Sequence, residues 1–381
     1  MKKETFIRIL LITMVPLSFS GLLACGESSI ETRDNDAAPQ GLDSCPDPII
    51  IQTDWFPEAE YGATYELFGN GTYLIDNENR RVAGTLHDGN TDTGIGLEVR
   101  TGGPAIGFTP VASHMYTDTN ITLGYANTEG QITRFGSAPL LSVVAPLEKN
   151  PQMIMWDPKT YPDVESIEDL GKRNVTISVF GPEVFSEVFI AQGIWTSSQV
   201  DPSYDGSPAN FIANEGSIAQ QGFASAEPFN YKNTYEEWGE DVKYQLLHDA
   251  GFPVYSQTLA IRSDDKSSLD SCLRSLVPII QRAVISYSTS PDNTNALIVD
   301  VVESFNSFWV YGKEIAEYSV QTQWELGLIG NGNNDIVGDM DQNRVQEVID
   351  LMDKAGIDTN EITPSDIFTN EYIDQNIGFN E

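Results

Sequence analysis

Hydrophobic positions along this chain fall into short runs of two kinds, β-like and helical, and their alternation predicts an α/β architecture. The first apolar run, Ile9 to Leu23, follows Lys2, Lys3 and Arg8 and is broken by Pro16 and Ser18. It is too short and interrupted for a stable membrane span, and it has the charged and apolar regions of a secretory signal. The polar stretch after it (GESSIETRDNDAAPQGLDS) shows no hydrophobic periodicity and predicts a flexible tether over 25–45. From Pro46 the runs become regular. Strands are predicted at Pro48–Thr53, Gly96–Arg100, Ile121–Tyr125, Leu140–Ala145 and Met153–Trp156, with a helix at Glu58–Phe68 and an inserted hairpin at Tyr73–His87. Gly102-Gly103-Pro104 turns into a further predicted helix.

A second block repeats the alternation. Ser166 N-caps a helical turn, Val175–Phe180 is a strand, and Gly181-Pro182 opens a helix reaching about Gln192. Gln220–Ala226, Val242–Leu247 and Tyr255–Ile261 read as strands. The remainder is mostly helical, with amphipathic segments at Leu269–Tyr287, Ala296–Phe308 and Arg344–Lys354, the last closed by Ala355-Gly356. The pattern predicts a signal segment (1–24), the tether (25–45), a first lobe (46–146 and 257–381, with a helical C-terminal tail) and a second lobe (147–256). Ligands of open α/β sheets sit outside the carboxyl ends of the strands, which places a cleft between the lobes.

Charge narrows the partners. The 381 residues carry 21 Lys+Arg against 56 Asp+Glu, a net charge of −35. So acidic a chain repels phosphate backbones and gains nothing from an anionic membrane surface, which excludes nucleic acid as a partner. The acidity itself reads as a solvated surface. The three histidines, His87, His114 and His248, form no HxxxH or HExxH pair, and CxxC, GxSxG and P-loop motifs are missing. No metal or cofactor is expected. Asp339-Met340-Asp341-Gln342-Asn343 imitates the start of a calcium loop, but position 6 is Arg344 and position 12 is Asp350, so a helix N-cap is the better reading. Cys45 and Cys272 form either one disulfide or two separate thiols.

The candidate ligand-binding residues stand at strand ends. Asp54-Trp55-Phe56-Pro57 follows the first strand and offers rings for a planar ligand; the plain alternative is a core Trp and a turn. Phe180-Gly181-Pro182-Glu183, Ala226-Glu227-Pro228-Phe229 and His248-Asp249 hold similar positions, with ordinary turns or caps as their alternative. Tyr61, Gly103, Pro104 and Tyr125 complete the set.

Leu22-Leu23-Ala24-Cys25-Gly26 resembles a bacterial lipobox, which implies lipidation of Cys25 and attachment to a membrane. Ile50 to Pro57, Glu98 to Pro104, Ser142 to Leu147, Ser166 to Lys172 and Gln221 to Pro228, in that order, resemble segments of the pyrimidine-precursor-binding (thiamine-biosynthesis-like) family of ABC-importer substrate-binding proteins. The resemblance covers residues 48 to 262 best. It implies a two-lobed periplasmic-binding-protein type II fold, a small-molecule ligand held between lobes, a permease partner in the cytoplasmic membrane and a monomer outside the cytoplasm. It carries Trp55 and Phe56 onto the family's aromatic platform, Gly103 and Pro104 onto its helix start, and Gly181, Glu183, Glu227 and Phe229 onto the second lobe's cleft side. Relatives bind riboflavin, sulfonates or nitrate. The resembling fungal synthases carry a cysteine-rich motif, whereas the three cysteines here stand apart, which argues for a binding protein over an enzyme. A surface sensor with the same fold and no transporter is the third reading. Aromatics beside carboxylates suit a neutral or cationic planar heterocycle.

Overall fold

The computed structural model describes residues 41–307 and 309–380. The predicted signal segment, Cys25 and the tether up to residue 40 lie outside the described residues. The chain forms β1 (Ile49–Gln52), β2 (Leu74–Asp76), β3 (Arg81–Asp88), β4 (Thr91–Arg100), β5 (Leu123–Ala126) and β6 (Leu140–Val144). It crosses into β7 (Gln152–Trp156), β8 (Ile177–Ser178), β9 (Val200–Asp201), β10 (Ala219–Phe223) and β11 (Lys243–Leu246), then returns as β12 (Thr258–Arg262). One sheet has the order β2-β3-β4-β1-β5-β12-β6, the other β11-β7-β10-β8-β9. Strands β4, β1 and β5 run parallel, and β12 enters antiparallel between β5 and β6.

Both sheets are covered on both faces, so central strands such as β1, β6 and β7 are buried along their length rather than alternating between buried and exposed. The period of two survives in which core each residue joins. Ile49 and Ile51 enter the main core of the first sheet and Ile50 the core on its other face. On β7, Ile154 and Trp156 point one way and Met153 and Met155 the other.

The helices are α1 (Gly62–Glu66), α2 (Val111–Thr117), α3 (Thr128–Arg134), α4 (Ile167–Lys172), α5 (Val184–Ala191), α6 (Ala209–Ala213), α7 (Glu227–Asn233), α8 (Lys266–Thr289), α9 (Asp292–Phe305), α10 (Lys313–Glu325), α11 (Gln342–Lys354) and α12 (Pro364–Ile367). Along α8, Leu269, Leu273, Leu276, Ile280, Val284 and Tyr287 recur at helical spacing and bury one stripe in the first lobe. Each such side chain contributes about 1.5–3 kcal/mol. Helix α1 meets α8 closely enough that a Cβ on Gly62 would lie 2.0 Å from the Tyr287 ring. None of the helices among the described residues is long and apolar enough to cross a membrane.

Several expectations shift at element ends. The end of the predicted tether is structured: Leu42 is buried in the first-lobe core, and Cys45 is disulfide-bonded to Cys272 on α8. The helix predicted over Glu58–Phe68 splits into a 3-10 turn, Ala59–Tyr61, and the short α1. After Gly102 comes only another 3-10 turn, Gly103–Ile106, because Gly107 adopts φ +61° and ends it; α2 starts after Pro110. Strand β10 stops at Phe223, since Glu227-Pro228 begins α7. Helices α3, α7 and α10 are not visible in the pattern. Asp341 caps α11, its Oδ1 accepting from the Asn343 N–H at 2.7 Å.

Two segments join the lobes, 145–151 and 247–257, and the tail stitches them together. Helix α11 packs on α5 of the second lobe and α3 of the first. Its Arg344 donates to the carbonyls of Glu148 (2.7 Å), Pro253 (2.6 Å) and Val254 (2.9 Å), and its guanidinium lies 3.7 Å from the Tyr255 ring centroid. One side chain thus grips both crossing segments.

Candidate functional site

The site begins where β1 ends. The Thr53 N–H bonds the Arg100 carbonyl at 2.9 Å, and the Gly102 and Gly103 N–H groups bond the Trp55 and Asp54 carbonyls at 3.0 and 2.9 Å. The loops after β1 and β4 are therefore laced together. Gly102 permits this, since a Cβ there would lie 2.3 Å from the Thr53 carbonyl oxygen. Gly103, at φ +56°, passes under the Trp55 ring. Tyr61 donates to Asp54 Oδ1 at 2.6 Å and fixes that carboxyl.

The second lobe supplies the opposite wall. Gln221 on β10 accepts from the Phe180 N–H at 2.8 Å and donates to Glu183 Oε1 at 3.4 Å, holding both residues towards the first lobe. Glu227 accepts from the Phe223 N–H at 2.6 Å and from the Tyr204 hydroxyl. The lobes touch: the Ser225 hydroxyl bonds the Glu60 carboxyl, and Tyr318 donates to the Ala224 carbonyl at 3.2 Å.

Between the walls lies a cavity of about 380 Å³, within the size range of small-molecule sites. Trp55 is at its centre, with ring centroids of Phe108, Phe180 and Trp309 at 6.1, 6.0 and 6.2 Å. Phe180 belongs to the second lobe, so the ring cluster spans the cleft. Asp54, Glu58, Glu183 and Glu227 line it, and among the described residues the lining holds no Lys, Arg or His. A smaller adjoining recess shares Asp54, Pro110, Val111 and Asn127 with the cavity and is lined by Arg134.

Burial raises these acids. Glu183 and Glu227 are pushed up to about 7, both chiefly by desolvation. Asp54 is raised by burial against the opposing Tyr61 hydrogen bond. Glu58 stands well above the usual carboxylate range, through burial first and then the charges of Glu60, Asp54 and Glu227.

Of the residues expected from sequence, the structure brings Asp54, Trp55, Tyr61, Gly103, Phe180, Glu183 and Glu227 to this cavity. It places the others elsewhere. Phe56 lies buried behind Trp55, stacked on Trp309 at 5.2 Å. Pro104 sits in the 3-10 turn beside Gly103. Tyr125 lines the adjoining recess and is hydrogen-bonded to Thr64 at 2.7 Å. Gly181 supplies a turn at φ +73°, and Phe229 packs against Tyr318 at 5.4 Å. Asp249 is a surface residue, its side chain 51% exposed and 3.9 Å from Lys149.

Other lining residues escaped the sequence reading: Glu58, Phe108, Tyr204, Gln221, Gln257 and Trp309. Gln220-Gln221 inside a buried strand was a readable signal, because polar side chains in a covered sheet need a partner. Trp309 was not readable, since it arrives from the α9–α10 connection, some 250 residues from the loop it meets.

No protein-family model and no curated protein sequence matches this chain. Solved structures do resemble it. A protein from Bordetella bronchiseptica RB50 superposes with a TM-score of 0.53 at 13% identity, over 86% of this chain and 96% of that one. The alkanesulfonate-binding protein SsuA from Xanthomonas axonopodis pv. citri, bound to MOPS, gives 0.53 at 11% identity, over 85% and 98%. A putative periplasmic sulfonate-binding protein SsuA of a sulfonate ABC transporter from Methylobacillus flagellatus KT gives 0.51 at 12% identity, over 86% and 93%. At such identities the likeness is one of architecture: the chain has the two-lobed α/β fold of periplasmic binding proteins.

Proposed function

We propose that this protein is an extracytoplasmic solute-binding protein, lipid-anchored through Cys25, that captures a small planar heterocycle between its lobes and delivers it to an ABC permease. It performs no covalent chemistry. The observation that carries this reading is the ring-and-carboxyl cavity at the strand ends of both lobes, centred on Trp55 and Phe180. Stacked rings supply contact area for a planar solute, and the carboxyl and amide groups fix its orientation. Binding selects the closed arrangement of the lobes, the form a permease recognises. The pyrimidine-precursor class suggested by the sequence resemblance is one member of this solute set.

A second reading, capture of sulfonate- or nitrate-type anions, is favoured by the two sulfonate-binding structures of the same fold. Thermal unfolding of the purified protein with pyrimidine thiamine precursors, riboflavin, purines, taurine, alkyl sulfonates and nitrate separates the two. A solute that binds the native state alone raises the melting temperature by mass action. The heterocycle reading expects a rise with at least one ring compound. A rise with anions only supports the second reading, and no rise with any of them contradicts both.

A further inference from the structure

We infer that the solute is an organic cation, bearing an ammonium, amidinium or quaternised ring nitrogen that Glu58 and Gln257 receive inside the aromatic cavity. This rests on the solute-binding reading above and names the charge of its solute.

The unmet demand of two buried side chains carries the inference. Among the acids that line the cavity, Asp54, Glu183 and Glu227 each accept a hydrogen bond from the protein. Glu58 is 6% exposed, yet among the described residues its carboxyl group has no hydrogen-bond donor and no ion-pair partner. Its charged neighbours are Glu60, Asp54 and Glu227, all of its own sign. A buried carboxylate so placed needs a proton or a cation. Gln257, 4% exposed, lines the same cavity, and its Oε1 accepts from no donor. Both groups ask for positively polarised hydrogen.

The features that would serve an anion are already used. The N-terminus of α3 is capped by the protein's own Asn127, whose Oδ1 accepts from the Gly130 N–H at 2.7 Å. The N-cap of α5 is Glu183, itself an acid. A sulfonate in the cavity would face four carboxyl groups and no cationic lining residue. Arg134, in the adjoining recess, stands with Glu129 beside it. A bare metal ion fits no better: no cluster of three or more ligating side chains forms among the described residues. The walls suit an organic cation instead, because the faces of Trp55, Phe108, Phe180 and Tyr204 attract positive charge.

The test compares ring compounds of one shape and different charge by isothermal titration of the purified protein: benzamidine against benzamide and benzoate, and 1-methylnicotinamide against nicotinamide and nicotinate. Thiamine, choline and agmatine extend the cation set. The expected result is at least one cation that binds, at least tenfold tighter than its uncharged counterpart where it has one. Glu58→Gln, which keeps the shape and removes the charge, should weaken that cation at least tenfold and leave its neutral counterpart within threefold. Gln257→Leu should weaken it severalfold. An uncharged or anionic partner that binds as tightly overturns the inference, as does failure of every cation. A melting-temperature rise with a neutral heterocycle would then leave the solute-binding reading standing without it. Silence from all solutes in both experiments removes both.

Discussion

Burial lifts Glu183 and Glu227 to about 7 and Glu129 to about 8, and it raises Asp54, Glu58 and Glu60 as well. A carboxyl group whose folded pKa exceeds its unfolded one holds a proton that the unfolded chain releases. Its stabilisation is complete below the unfolded value and is lost as pH rises through the folded one. His248, lowered to about 4 chiefly by burial, acts in the opposite sense below its usual value, but it is one group against six. The solute-free protein should therefore lose stability steadily between pH 5 and pH 8. Urea unfolding at the two pH values measures this, and Glu227→Gln should flatten the slope. Stability that rises over the same range would contradict the placement of these acids. Trp55 and Asp54 were legible in sequence because both stand at the carboxyl end of the strand that carries the apolar run Ile49–Ile51. The role inferred for Glu58 was not, because it depends on the approach of Glu227, at the start of α7, from the other lobe.

At the scale of elements, the join between lobes depends on α11. Arg344 satisfies carbonyls on both crossing segments, and Tyr255 accepts from the Asp341 N–H at 2.8 Å on the same helix. Arg344→Ala leaves those buried acceptors unpaired and should lower stability by about 2–4 kcal/mol in urea unfolding. Arg344→Lys should recover less than half of that, since one ammonium cannot reach three carbonyls held in different directions. A loss below about 0.5 kcal/mol for the alanine variant would show that the segments are held by other contacts. The periodicity made α11 and its capping Asp341 visible. It could not show that the helix serves both lobes, because amphipathic spacing identifies an apolar face and not what that face covers.

Across the whole molecule, the positions of most strands along the chain were readable because strands buried on both faces appear as short apolar runs such as Ile49–Ile51. The cavity was only half readable. Its first-lobe loop and second-lobe acids lie in local motifs, whereas Trp309, Gln257 and Tyr204 reach it by tertiary folding. In the proposed function a solute sits against Trp55 between the lobes. The most direct measurement is the affinity of Trp55→Ala for whichever solute stabilises the unaltered protein most. The expected loss is more than about 1 kcal/mol, roughly fivefold or greater, with the melting profile of the solute-free variant unchanged in cooperativity. Equal affinity in the folded variant would place the solute away from Trp55.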